Sequence, residues 1–186
     1  EVSGFEVNDG ILGAVMTRSG RIRGDACVLA GGAEVARLLV PLGIRVPVYP
    51  LKGYSISLSI NNPDNVPEAS VTDYQRKIVY ARLGNRLRVA GMADIVGFDD
   101  GIRADRVAGL LRETSETFGE GVDLSTVEPW AGLRPATPTG RPVVDRSPIP
   151  NLWLNVGHGA LGFTLAAGCA GLIADKIGGR QCAVPA

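Results

Sequence analysis

Apolar residues along this chain fall into short runs cut by glycine, proline and asparagine, and the spacing of each run predicts an element. Residues 11–18 and 21–23 flank Ser19-Gly20 as a hairpin, and 26–30 form a short apolar strand that stops at Gly31-Gly32. Residues 33–40 carry helical spacing up to Pro41 and Gly43. A strand at 54–60 ends at Asn61-Asn62-Pro63, residues 61–70 read as a loop, and a second hairpin, 77–83 with 86–90, turns at Gly84-Asn85. Residues 103–118 place Val107, Leu110, Leu111 and Phe118 on one helical face and charge elsewhere, so this helix is expected to lie on a sheet. A further strand is expected at 124–130, ending near Pro129 at a sheet edge.

The last part of the chain repeats the strand-to-glycine-to-helix pattern more strongly. Residues 152–156 are a bounded apolar run, and 162–177 are almost uncharged with helical length, closed by Gly178 and Gly179. Such a turn aims a helix N-terminus and its unpaired N–H groups at the mouth of the loop. Gly157, Gly159 and Gly162 also spell G-x-G-x-x-G, but a dinucleotide-binding βαβ unit needs another parallel strand with an acidic residue about 20 positions on. Asp175 still lies within the predicted helix and no such strand follows, so that reading is rejected. From the residues alone, a ligand-free glycine turn and an anion or cofactor site stay equally open. The uncharged stretch 160–174 falls short of the roughly 20 residues that span a bilayer, so a buried core helix is expected.

Composition narrows the field. A chain of 186 residues with 45% hydrophobic residues can build a core, as one domain or two small ones. Nineteen basic residues balance nineteen acidic ones, which removes any general electrostatic case for nucleic acid. Cys27, Cys169 and Cys182 are scattered without metal-ligand spacing and His158 is the sole histidine, so no metal site is expected and a reducing compartment is. No targeting pattern opens the chain and strand-like residues begin at once, as in the middle of a longer protein.

Two further positions carry candidate chemistry. Residues 132–150, dense in proline and glycine, read either as a surface connector or as a rigid loop that holds a charged group in place, with Arg134 wedged between Leu133 and Pro135. A guanidinium held there wants a carboxylate, from the protein or from a substrate. In strand 77–83, Tyr80 projects with Ile78 and Arg82, on a face that is either solvated or turned to a ligand.

The segments CVLAGGAE from Cys27, VPVYPLKGYSISL from Val46, PWAGLRPATPTGRPVVDRS from Pro129 and NLWLNVGHGALGFTLAAGCAGLIADKI from Asn151 resemble the FAD-dependent D-amino acid dehydrogenase and oxidase family. The resemblance implies an α+β fold: an antiparallel or mixed-sheet substrate domain with helices at 45–139. Residues 1–44 and 140–186 would be the remnant of a glutathione-reductase-like FAD-binding α/β domain without its N-terminal βαβ unit. It implies FAD contacts at Gly31, Gly32, Gly157, His158, Gly159, Leu161, Gly162 and Thr164, and substrate contacts at Arg134 and Tyr80, with Lys52 and Tyr54 as weaker candidates. No side chain stands out as a catalytic base. The implied reaction is oxidative deamination of a D-amino acid by hydride transfer to FAD in the intact enzyme. The implied partners are the D-amino acid, the absent N-terminal FAD-binding segment and a quinone or other electron-transport acceptor, without nucleic acid. The implied location is cytoplasmic, with a peripheral position on the inner face of the plasma membrane as its variant. The alternatives are a glycine or sarcosine oxidase-like flavoenzyme, or a non-catalytic α+β domain that binds a carboxylate.

Overall fold

The structure, a computed structural model, describes residues 1–182. In chain order the strands are β1 (Val2–Asn8), β2 (Ile11–Thr17), β3 (Gly20–Ile22) and β4 (Cys27–Leu29), followed by helix α1 (Val35–Leu39) with a 3-10 turn at either end. Next come β5 (Tyr49–Ile60), β6 (Val71–Asp73), β7 (Ile78–Leu83), β8 (Arg86–Asp94), α2 (Ala104–Phe118) and β9 (Val122–Ala136). The chain continues with β10 (Val143–Arg146), β11 (Leu152–Val156) and, after a 3-10 turn at Gly159–Leu161, helix α3 (Gly162–Ile177). This is an α+β arrangement, and it divides into two compact units, Leu51–Leu133 and the two flanking segments.

The flanking unit holds two small sheets. The β1-β2-β3 meander is antiparallel throughout, and in the other sheet β11 runs antiparallel to β10 and parallel to β4. Leu29, Val35, Leu39, Leu152, Leu154 and Val156 form the centre of its core. One side chain ties the meander in: the Asn151 amide accepts from Leu12 N–H at 2.9 Å and donates to Leu12 C=O at 2.9 Å. It mimics the paired bonds of a neighbouring strand, across 139 positions of sequence.

The contiguous unit is a five-stranded sheet in the order β6-β7-β8-β5-β9, with α2 on one face. Alternation along β5, β7 and β8 puts Tyr54, Ile56, Leu58, Ile78, Tyr80, Leu87 and Val89 into the core with Leu110 of α2. The opposite face carries Ser55, Ser57, Ala81, Arg88 and Ala90, where Ser57 and Ala81 are the direct cross-strand neighbours of Arg88.

Several expectations change. Residues 132–150 are not all connector, because β9 continues to Ala136 and β10 fills Val143–Arg146. Strand β9 also runs through Pro129 instead of ending there; it is the edge strand, where one missing N–H leaves no neighbour unbonded. The helix expected at 33–40 is five residues long between 3-10 turns, since Pro41 removes a donor. Helix α3 is not a buried core helix: among its residues only Cys169 and Ile173 are buried, and Phe163 is 99% exposed. The stretch Gly159–Ile177 is also long and apolar enough to cross a membrane by length and composition alone, with 6% of it buried.

Candidate functional site

In the flanking unit, the two parallel strands β4 and β11 both end in glycine turns that lead into helices, and a hollow of about 330 Å³ lies there. Open α/β sheets place ligands outside the carboxyl ends of their strands in this way. Gly157 follows β11 with φ +80°, and a Cβ there would meet Thr137 Cγ2 at 2.6 Å, so both conformation and space require glycine. Gly32 (φ +62°) and Gly159 (φ +55°) also lie in the left-handed region, and a Cβ on either would meet nothing within 4 Å. Here glycine serves the turn and leaves the space in front of the backbone clear.

The hollow brings together Gly32, Gly157, His158, Gly159 and Gly162 of the expected cofactor residues. Gly31 lies apart, lining a neighbouring hollow of about 630 Å³ with Val28, Leu29 and Leu38. Leu161 and Thr164 are exposed and outside the lining. Burial holds the His158 pKa below its ordinary value, so the imidazole is neutral near pH 7 and adds no charge. Asn155 and Pro135 also line the hollow, and neither stood out from its neighbours along the chain. The signal available for Asn155 was an amide in an otherwise apolar strand. Its Oδ1 is buried and, among the described residues, has no hydrogen-bond partner. A buried acceptor left open costs about 1–3 kcal/mol, which a bound polar group would recover.

The expected substrate residues separate. Arg134 lies at the end of β9 in the flanking unit, half-buried, and burial lowers its pKa from the ordinary guanidinium value. Tyr80 is a correction: it is 2% exposed, on the α2 side of the sheet, with its ring edge-on to Phe118 at 5.0 Å. Its companion Arg82 instead reaches the carbonyls of Gly84 and Pro63 at the surface. Tyr54 and Lys52 are likewise interior. The Tyr54 hydroxyl donates to Asp94 at 2.9 Å, and Arg106 holds the same carboxylate through both oxygens. Lys52, 0% exposed, donates to Asp99 at 3.2 Å. Burial lowers the Lys52 pKa, and its bonds to Asp99 and Tyr54 more than offset this, so the net shift is upward and the amine stays charged. These side chains have partners within their own unit, which makes them a buried polar brace for β5, β8 and α2.

Among the described residues no group of histidine, cysteine, aspartate and glutamate could hold a metal ion. The glycine turns and the helix N-terminus beyond them fit a flat polar cofactor whose edge gains negative charge, and the open Asn155 Oδ1 fits a donor N–H of such a group.

The chain is 54% identical over 159 residues to D-amino acid dehydrogenase 2 of Pseudomonas aeruginosa, covering 86% of this chain and 38% of that protein. It is 54% identical over 180 residues to D-amino acid dehydrogenase 2 of Ralstonia nicotianae, covering 92% and 42%. The crystal structure of glycine oxidase from Geobacillus kaustophilus superposes with a TM-score of 0.84 at 26% identity, over 100% of this chain and 50% of that one. The chain thus spans about two fifths of the length of these curated relatives. A family model described as FAD dependent oxidoreductase matches residues 1–176, and the chain belongs to that family.

Proposed function

We propose that this chain is the part of a D-amino acid dehydrogenase that supplies the substrate unit and one wall of the flavin site. The observation that carries the proposal is the glycine-lined hollow with its open Asn155 acceptor at the ends of two parallel strands. The 54% identity to proteins named D-amino acid dehydrogenase supports the substrate class. In this reading FAD, when bound, accepts the hydride that leaves the amino acid Cα, and water hydrolyses the resulting imino acid to a keto acid and ammonia.

The chain's own residues would do three things. The N–H groups at the start of the helix that follows Gly157 stabilise negative charge at the cofactor's edge, by about 0.3–1 kcal/mol or more where water is excluded. His158, neutral, adds no charge of its own to that field. Arg134, held at the end of β9 with its pKa lowered by burial, anchors the substrate carboxylate and so fixes which hydrogen faces the cofactor. No protein base is assigned, because an amino acid bound with a neutral amine does not require one.

The remaining polypeptide of the relatives would supply the flavin's pyrophosphate cradle and cover the exposed face of α3. Electron transfer to a quinone, with a cytoplasmic and membrane-peripheral location, belongs to the same proposal and is checked by fractionation and quinone reduction. The main experiment joins this chain to the N-terminal segment of the Pseudomonas aeruginosa relative, loads FAD and adds D-alanine without oxygen. Bleaching of the flavin is expected, with a rise in KM for Arg134→Gln. Bleaching by glycine or sarcosine in place of D-amino acids would favour an oxidase-like specificity, and no bleaching by any amine would refute the enzyme reading.

A further inference from the structure

The helix-free face of the five-stranded sheet holds one arginine that meets no carboxylate among the described residues. Arg88, half-buried on β8, donates from Nη2 to Ser55 Oγ at 3.1 Å, and its guanidinium carbon stands 5.5 Å from the centre of the Trp130 ring. To do so it crosses the intervening strand β5 and reaches β9. Arg86, two positions earlier, makes the contrast: it is neutralised by Glu128 at 2.7 Å and also reaches the Ser57 carbonyl.

The surroundings of Arg88 are built, not incidental. Ser55 beneath it is 3% exposed. Its neighbours on that face are small, Ser57, Ala81 and Ala90, and leave room above the sheet. Trp130 is 55% exposed, yet its indole is fixed: it lies back along β9 over Gly132, where a Cβ would come within 2.1 Å of the ring. An indole face against a guanidinium orients the fork, and one N–H is committed to Ser55. The other edge is left for a planar, bidentate acceptor, with an apolar ring beside it.

We propose that Arg88, Ser55 and Trp130 form a binding site for the carboxylate of a small organic acid. All its members lie within residues 51–133, so the proposal stands apart from the flavin reading and from Arg134. The acid is one other than the amino acid substrate, whose carboxylate the proposed function gives to Arg134.

The test is calorimetric titration of the 186-residue chain with benzoate and with its neutral isostere benzamide. Benzoate is expected to bind and benzamide not. Arg88→Gln should weaken benzoate roughly 10- to 100-fold, the loss expected for a charge-assisted hydrogen bond, with partial recovery in Arg88→Lys. Gly132→Ala, which leaves the guanidinium intact but displaces the indole, should weaken it as well, and it serves as the second variant should Arg88→Gln not fold. Equal benzoate affinity in folded Arg88→Gln, equal binding of benzamide, or no benzoate binding at all overturns the proposal. In the FAD-loaded protein the D-alanine KM is expected to be the same in Arg88→Gln, and a higher KM would overturn the assignment to a separate acid.

Discussion

Replacing Tyr80 by phenylalanine should stabilise the contiguous unit. The ring is 2% exposed and packs edge-on against Phe118, with centroids 5.0 Å apart and planes at 80°. The hydroxyl, also buried, has no partner among the described residues. Phenylalanine keeps the ring contact and removes only the unpaired oxygen. An orphaned buried hydroxyl costs about 1–3 kcal/mol, and a gain of about 1 kcal/mol is expected at the lower end of that range. For a chain of this size about 1 kcal/mol corresponds to about 2–4 °C in Tm, or about 0.5 M in the urea midpoint with the slope unchanged. The assay is urea unfolding followed by Trp130 fluorescence in a Trp153→Phe background, so that the signal reports the unit that contains Tyr80. Tyr80→Ala is the control and should cost about 3–5 kcal/mol by opening a cavity. A Tyr80→Phe variant less stable by 1 kcal/mol or so at constant slope would show that the hydroxyl has a partner, and would refute the reasoning.

Three other outcomes follow from the described contacts. Burial pushes the Asp94 carboxyl upward, but the Tyr54 hydroxyl and Arg106 outweigh it and hold its pKa below the ordinary aspartate value. The stability this gives is therefore complete above about pH 3.9 and lost as pH falls through the depressed folded value. In Asp94→Asn the urea midpoint should be lower near neutrality and that acid limb should flatten; an unchanged limb would count against the brace. Gly157→Ala should destabilise by about 1–3 kcal/mol, because φ +80° and a 2.6 Å approach to Thr137 both oppose a methyl group, and thermal melting reads it. Asn155→Leu should weaken FAD retention in the reconstituted protein while leaving the melting temperature equal or higher, since it removes an acceptor that no described residue satisfies.

The parts of this fold that the sequence made legible are those where one period dominates. Strand 152–156, the hairpin around Gly84-Asn85 and the amphipathic helix ending at Phe118 announce themselves by spacing and by their breakers. Strand β10 did not, because Pro142 and Pro148 bracket five residues, four of them in the strand, too few to show a period. The glycine turns at 31–32 and 157–162 pointed to the hollow, but not to Asn155, whose meaning depends on lacking a partner. Alternation showed that Tyr80 and Val79 face opposite ways and could not say which face α2 covers. That ambiguity left Tyr80, which is buried against Phe118, open to a ligand-facing reading. For α3, apolar composition predicted a buried core helix, whereas among its residues only Cys169 and Ile173 are buried.

The Asn151 amide that grips Leu12 sets an order of events. The meander near the start of the chain and the parallel partner of β4 both wait for residues beyond 150, so the flanking unit closes only when nearly the whole chain is present. Residues 51–133 need nothing outside themselves for their own core. During synthesis residues 51–133 are therefore expected to fold before the meander is closed by the segment that carries Asn151.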